Sequence, residues 1–391
     1  MATPLQDILK VALSHDPVVL AAKAQELEAQ SGVKMATAEH YPVVALNAEQ
    51  DFMRKEYDED AKRTFTPGLN GKMNLFAWGA IEAQRDKAKA EEQYYHQRVY
   101  ATQEDLGFDI GQLYLSALSA KEAIDIYQES LAWHHKILGE LSIIATHDIG
   151  RRSEMVEAEA RKLSVETTLY QFRRSLNLAL SQLAKYTNTR IHAGDLTDPF
   201  THWQAQKLIA AYQALAMEHN PSYLAQEAEL SSVRSALAAE KASRKPSINL
   251  MGAVDRDNKQ IYVNLSWNVF DQVGRHSVDR SSHRLISAER RMEQVSRDLA
   301  EVKRTAQEDM LQSEAVSVVA SRQIEAKREV LRAYELQFKI ARRSLIDLLD
   351  AYSELSNIAM TKQTAQNNFR LAALTYLKSN AQLAQWATQS K

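Results

Sequence analysis

The sequence has no cysteine and few of the residues that interrupt helices. Without cysteine the chain can form no disulfide and offers no thiol for acylation. Only seven of its 391 residues are proline and 11 are glycine. No proline lies between Pro67 and Pro199 or after Pro246, and no glycine follows Gly274. These stretches are rich in Ala, Gln, Glu, Lys and Arg, so they predict long helices.

Several chemical signatures are also missing. The formal net charge of -2 gives no general attraction to nucleic acid, so we predict no nucleic-acid partner. There is no HExxH motif, no glycine-rich phosphate loop and no nucleophile elbow. His134 and His135 are adjacent, and neighbours on a helix face different ways. We therefore predict no enzymatic activity, no cofactor and no metal site. No apolar run approaches the length of a membrane-spanning helix.

The chain is duplicated. Residues 15–17, His-Asp-Pro, recur as residues 219–221, His-Asn-Pro, and Pro42 recurs as Pro246. The first copy is longer between its two strand-like segments, where a loop can absorb an insertion. A unit of nearly half the chain is far longer than a solenoid repeat. We therefore predict two structural repeats, residues 1–195 and 196–391.

Both repeats have the same predicted order of elements. In the first we expect a helix over 5–39, strands over 42–52 and 65–76, a long helix over 79–146 and a helix over 153–187. In the second we expect a helix over 204–243, strands over 247–255 and 261–270, a long helix over 273–340 and a helix over 344–386.

The long helices have a coiled-coil pattern. From Leu285 to Ala306 apolar residues recur at alternating steps of three and four, which indicates a heptad seam. A helix over 79–146 would be about 100 Å long. A soluble coiled-coil scaffold explains this pattern equally well.

The predicted strands alternate apolar and polar residues. Ile261, Val263 and Leu265 would lie on one face, with Tyr262 and Asn264 on the other. Strands of about ten residues suit a tilted crossing of a bilayer. Four strands cannot close a barrel, so other copies of the chain would have to complete it. The alternative is a sheet packed on a soluble core, which shows the same alternation.

Taken together, these features resemble the TolC family of outer-membrane export ducts over nearly the whole chain. The resemblance rests on the repeat, the proline before each first strand, and the exits from strand to helix at Leu75-Phe76 and Val269-Phe270. It implies a mainly α fold with a small β part. Three protomers, a homotrimer, would each give the strands within 42–76 and 247–270 to a 12-stranded β-barrel. The remaining residues would form a periplasmic α-helical barrel and an equatorial region.

The resemblance also implies a location. We expect the protein in the outer membrane of a Gram-negative bacterium, in contact with its lipid, with most of the chain in the periplasm. Residues 1–4 have none of the features of a signal peptide, so we expect that the leader has been removed. Trp78 and Trp267 lie at the ends of predicted strands and are candidate membrane-interface anchors. Packing against a neighbouring strand explains them equally well.

Residues 344–351 resemble the family's second helical tip, where two acidic residues face the pore. Asp347 and Asp350 match those positions, and three copies would place six carboxylates around a narrow opening that favours cations. The alternative role is local, because Ser344 followed by an acid three residues later is close to a capping box.

Arg343 matches a basic residue that, in the family, bonds to an acid of the other repeat and holds the aperture shut. Val156 occupies the expected partner position here, with Glu154 and Glu157 beside it. The resemblance therefore implies an aperture lock made with one of these glutamates. Solvated charge at a helix turn is the alternative.

The tips are also the expected docking site of a periplasmic adaptor, through which an inner-membrane ABC transporter would act indirectly. The first tip resembles family members dedicated to type I secretion, so we expect an exported protein cargo, a large RTX-like adhesin. Small-molecule efflux through a tripartite pump is the alternative. The predicted docking residues are Gly150, Arg151, Arg152, Ser153, Ala341, Arg342 and Ser344.

Overall fold

The computed structural model confirms a mainly α fold with a small β part. The structure describes residues 4–50, 65–145, 152–187, 191–212, 217–256, 259–340 and 342–388. It has two compact units. One contains residues 1–20, 101–220 and 298–391, and the other contains residues 21–100 and 221–297. Each unit therefore takes segments from both predicted repeats, and the division of the chain at residue 195 stays a prediction.

Nine α-helices lie in the described part of the chain, and two of them are far longer than the rest. None of these helices combines the length and apolar character that a membrane-spanning helix needs. The helices are α1 (Pro4–His15), α2 (Pro17–Ala38), α3 (Ala80–Ala145), α4 (Arg152–Leu183), α5 (Ala205–Ala211), α6 (Pro221–Ser243), α7 (Gln272–Lys339), α8 (Leu345–Ser379) and α9 (Leu383–Thr388).

Two predicted helices are interrupted at prolines. The expected helix over 5–39 is divided into α1 and α2 at Asp16, whose carboxylate accepts the Val18 backbone N–H at 2.9 Å. The expected helix over 204–243 was wrong as one element, because α5 ends at Ala211 and α6 begins at Pro221. Proline lacks the N–H that a helix interior needs, but it fits a first helical turn.

The predicted helix over 344–386 is also divided. The backbone N–H of Ala381 donates to the Lys378 carbonyl, and that of Gln382 donates to the Leu377 carbonyl. These two bonds form a Schellman motif, and Ala381 occupies its left-handed position with φ 53°. Helix α8 therefore stops at Ser379, and α9 starts a new direction at Leu383. Alanine gives no sequence signal for this turn, which usually carries glycine.

The four strands form one antiparallel sheet in the order β1-β2-β3-β4. A bulge lies between Asn74 and Phe76 in the second strand. The fourth strand ends at Ser266, four residues before the predicted end. Beyond the first strand, residues 51–52 of the prediction lie outside the described residues. The strands are β1 (Val43–Gln50), β2 (Phe65–Phe76), β3 (Ser247–Asp255) and β4 (Lys259–Ser266).

The larger core lies in the unit that contains α1, α8 and α9. Leu374 and Tyr376 of α8 are fully buried there. A Cβ atom added to Gly111 of α3 would lie 2.5 Å from Leu374 Cδ2, so glycine permits the close approach of these two helices. Polar groups at this core are paired. Arg370 is 3% exposed and donates to both oxygens of Glu122 at 2.7 Å and to Asp198 at 2.9 Å.

Candidate functional site

The turn before α8 positions the first predicted aspartate. The backbone N–H of Asp347 donates to the Ser344 hydroxyl oxygen at 3.2 Å, and the Asp347 carboxylate accepts the Ser344 N–H at 3.3 Å. This is a capping box, so the local role considered for Ser344 is present in the structure. The hydrogen bond from the Ser344 hydroxyl, helped by nearby Arg343, lowers the pKa of Asp347. The carboxylate is therefore ionised at neutral pH.

The second aspartate pairs across the repeats. One oxygen of Asp350 accepts from Nη1 of Arg161 in α4 at 2.5 Å. The same guanidinium donates through Nε to Glu157 at 2.8 Å. The hydrogen bond that Arg161 donates to Asp350 raises the pKa of Arg161, and the bond to Glu157 adds to the effect. Arg161 thus ties the first turns of α8 to α4, and it was missed at the sequence level.

Arg343 has other partners than those expected. Its guanidinium lies over the Tyr334 ring, 4.1 Å from the centroid, and 3.7 Å from the Asp347 carboxylate. Glu157 is paired with Arg161, and one carboxylate oxygen of Glu154 is buried with no hydrogen-bond partner in the described part of the chain. Arg161 and Asp350 therefore form an ion pair between the two predicted repeats where Arg343 and a glutamate were expected to do so. The spacing of Glu157 and Arg161, four apart on a helix, was the available signal.

Only some of the other predicted tip residues lie in the described part of the chain. Gly150, Arg151 and Ala341 lie outside the described residues. The described ones are exposed polar positions at helix starts or in the turn: Arg152, Ser153, Arg342 and Ser344.

Apolar side chains accompany these polar residues. Ile340 is 62% exposed and Val156 is 63% exposed. Behind them Leu345, Leu348 and Leu349 are buried in a small core with Leu141 of α3. The tip therefore has a packed interior and an exposed surface that mixes apolar and basic groups.

The sheet has two chemically different faces. Strand register places Asn74, Asn249 and Asn264 in one row, and the Asn74 side chain donates to Asn249 at 3.2 Å. The opposite face is apolar and mostly exposed, with Leu46 at 82% and Ile261 at 79%. In the described chain β1 and β4 each have one neighbour, so the outer edges of both are unpaired.

Both tryptophans lie at one end of this sheet, near basic residues. Trp78 has φ 54° and its ring meets Phe76 edge-on, with centroids 5.0 Å apart. The Lys245 ammonium lies 5.6 Å from the Trp78 centroid. Trp267 donates its indole N–H to the Arg244 carbonyl at 3.2 Å. Each tryptophan is about half exposed while making these contacts, which suits an interface anchor.

Metal-binding geometry is not found in the described ranges, where no group of three or more His, Asp or Glu side chains could hold an ion. The carboxylates of Asp347 and Asp350 instead bind protein groups, Ser344 and Arg161 respectively.

Comparison with known proteins gives a family match for the first half of the chain and a fold for nearly all of it. The family model for outer membrane efflux proteins matches residues 8–189, a little under half of the chain. No curated protein matches the sequence.

Solved structures match nearly the whole chain. The outer-membrane channel OprN has a TM-score of 0.82 at 16% identity, covering 98% of this chain and 90% of that one. The outer membrane protein VceC of Vibrio cholerae has a TM-score of 0.83 at 15% identity, covering 96% of both chains. The open state of the Neisseria gonorrhoeae MtrE outer membrane channel has a TM-score of 0.81 at 18% identity, covering 99% and 91%.

Identities this low show the fold alone, and the family match covers only residues 8–189. The description of the matched family agrees with the predicted outer-membrane location and with a channel that is not an enzyme. Residues 8–189 thus match the outer membrane efflux protein family, and nearly the whole chain has the fold of the outer-membrane channels OprN and VceC.

Proposed function

We propose that the chain is one protomer of a homotrimeric duct that carries exported cargo across the periplasm and the outer membrane. One observation carries this proposal: the described sheet has an exposed apolar face and two unpaired edges. Backbone groups at such edges cannot remain unpaired in hydrocarbon. Pairing β1 of each protomer with β4 of the next satisfies both edges, and three copies give a closed barrel of 12 strands.

The faces of the sheet fit this barrel. Leu46, Ile261 and Val263 would contact outer-membrane lipid, and the row of Asn74, Asn249 and Asn264 would line the water-filled interior. Trp78 and Trp267 would lie at the periplasmic boundary of the lipid.

We propose that Asp347 and Asp350 form the carboxylate ring at the inner aperture. The lowered pKa of Asp347 keeps it charged. Asp350 is paired with Arg161, so we assign this ion pair the aperture lock that the resemblance gave to Arg343. Glu157, which shares Arg161, would stabilise the lock, and Glu154 is a candidate partner in another state of the aperture.

The exposed tips are proposed to dock a periplasmic adaptor protein. Arg152, Ser153 and Arg342 offer hydrogen bonds, while Ile340 and Val156 offer exposed apolar surface. A contact of this mixed character is typical of protein interfaces. An inner-membrane ABC transporter would act on the duct only through that adaptor.

For the cargo we propose type I secretion of a large RTX-like adhesin, supported by the likeness of residues 147–154 to members dedicated to such export. Small-molecule efflux is the second candidate, and the description of the matched family as efflux proteins favours it. Deleting the gene and measuring both surface adhesin and drug sensitivity separates them. Loss of surface adhesin would support type I secretion. Drug hypersensitivity with intact surface adhesin would contradict it and support efflux.

The aperture is tested by conductance in planar bilayers. Replacing Asp347 and Asp350 with Ala should weaken cation selectivity and block by multivalent cations, because the fixed negative charge is lost. Ser344→Ala is the matched control, since it removes the cap and leaves both carboxylates. If the double variant keeps its cation selectivity, Asp347 and Asp350 serve only the local cap and ion pair and do not form the aperture ring.

A further inference from the structure

A cleft of about 860 Å³ lies in the unit that contains the sheet, among α2, α3, α6 and α7. Small-molecule sites commonly have volumes of roughly 300–1,000 Å³. Four acidic and two basic residues line it, so its lining is net acidic: Glu39, Glu91, Glu229, Glu240, Lys87 and Arg284.

The acids are not equally neutralised. Lys87 lies 3.6 Å from Glu91, so this pair accounts for one negative charge. Glu240 accepts the Ser277 hydroxyl at 2.9 Å and has no ion-pair partner in the part of the chain that the structure describes. A half-buried carboxylate without a cation is a favourable place for a cationic ligand.

One serine hydroxyl that lines the cleft has no partner among the described residues. Ser281 is 6% exposed, and its side chain forms no hydrogen bond with any described residue. Ser232, on the facing helix, is buried to a similar extent but donates to Glu91 at 3.4 Å. A ligand that bonds to Ser281 would therefore displace no protein partner in the described part of the chain.

Two tyrosines complete the lining. Tyr94 and Tyr95 lie with their ring centroids 5.2 Å apart, nearly perpendicular. No described basic side chain lies over either ring. The electron-rich faces of tyrosine rings attract cations, and the rings also give flat apolar surface for an aromatic ligand.

We propose that this cleft binds an organic cation that combines aromatic rings with N–H donors. Its positive charge would lie near Glu240, an N–H would donate to the Ser281 hydroxyl oxygen, and its rings would pack on Tyr94 and Tyr95. The site belongs to a single protomer and requires neither the aperture nor the cargo proposed above.

The test uses the purified full-length protein in one detergent. Ethidium, an aromatic cation with two amino groups, and fluorescein, an aromatic anion, are titrated while fluorescence anisotropy is recorded. Ethidium should saturate and fluorescein should not. Glu240→Gln should weaken ethidium binding about tenfold, because a charged contact of about 1.4 kcal/mol is lost. Glu227→Gln should change it less than twofold, since Glu227 lies on α6 but outside the cleft.

Ser281→Ala provides a second variant and should weaken binding about threefold, the scale of one neutral hydrogen bond. Melting curves of all variants show whether they are folded. Equal losses for Glu240→Gln and Glu227→Gln would mean general charge attraction and would overturn the site. If ethidium binding does not saturate, the proposed site is also overturned. This outcome includes the case in which a second copy of the chain fills the cleft and excludes the dye.

Discussion

Apolar side chains are buried in the core around α8 but exposed on one face of the four-stranded sheet. In the core Leu374 and Tyr376 have no exposed surface, and even the buried Arg370 has both of its acids in the same chain. In the sheet Leu46 and Ile261 are about four-fifths exposed. One chain therefore completes the first region by itself, whereas in the proposed duct the second is completed by lipid and by other copies of the chain. Substitutions in the two regions should be measurable by different experiments.

The largest effect is expected at the buried ion network. Arg370→Ala should lower the free energy of unfolding by about 3–5 kcal/mol, because Glu122 and Asp198 would lose their cation. Urea unfolding of the detergent-solubilised protein measures this. Arg328→Ala is the control, since Arg328 and Glu129 form an exposed pair 3.8 Å apart and should contribute less than about 1 kcal/mol. If both variants lose the same free energy of unfolding, the buried ion network stabilises the protein no more than an exposed ion pair does.

A charged side chain on the apolar face of the sheet should hinder insertion of the protein into a membrane. Val263→Lys should disfavour the membrane-inserted state by about 2–4 kcal/mol, the cost of a lysine near the bilayer centre. Asn264→Lys, on the opposite face of the same strand, should have little effect. The measurement is the fraction of each protein that folds into lipid vesicles. If both variants insert equally well, the apolar face does not contact lipid.

The pH dependence of stability should report on Glu104. This carboxylate accepts the backbone N–H groups of Leu383 and Ala384, both at 3.0 Å, and burial raises its pKa from 4.5 to about 7. The folded state therefore holds the proton more tightly than the unfolded state. Its contribution to stability is present below pH 4.5 and is lost as the pH rises to about 7, a change of up to about 3 kcal/mol.

Glu104→Gln removes this titration and keeps an acceptor for α9. The difference in unfolding free energy between wild type and variant should therefore change across this pH range and be constant above it. A difference that is the same at every pH would contradict the assignment of Glu104.

The smallest effects concern two glycines of α3. Gly111→Ala should destabilise the protein by about 1–3 kcal/mol, because the new Cβ would overlap Leu374. Gly139→Ala is matched to it on the same helix, with no atom within 4 Å of the new Cβ, and should stabilise by about 0.5–1 kcal/mol. Thermal unfolding compares them. The same sign for both would show that helix propensity, and not packing, decides at Gly111.

The long helices and the faces of the strands could be predicted because their signals are local. Heptad spacing and period-two alternation depend on residues a few positions apart. The turn at Ala381 could not be predicted, since alanine rarely adopts a positive φ. The Asp350–Arg161 pair was also missed, because 189 residues separate its members and only the packing of α4 with α8 brings them together.

The cleft that Glu240 lines could not be predicted from the sequence either. Its acids come from the turn after α2, from α3 and from α6, and none of them stands out in the sequence. Its tyrosines are adjacent in the sequence, but only the fold places them beside those acids.

The mass of the detergent-solubilised protein, measured by light scattering with the detergent contribution subtracted, tests the completion of the sheet by other copies most directly. The proposed duct predicts a particle of three chains that requires detergent. A single chain that remains monomeric in detergent-free buffer would contradict it.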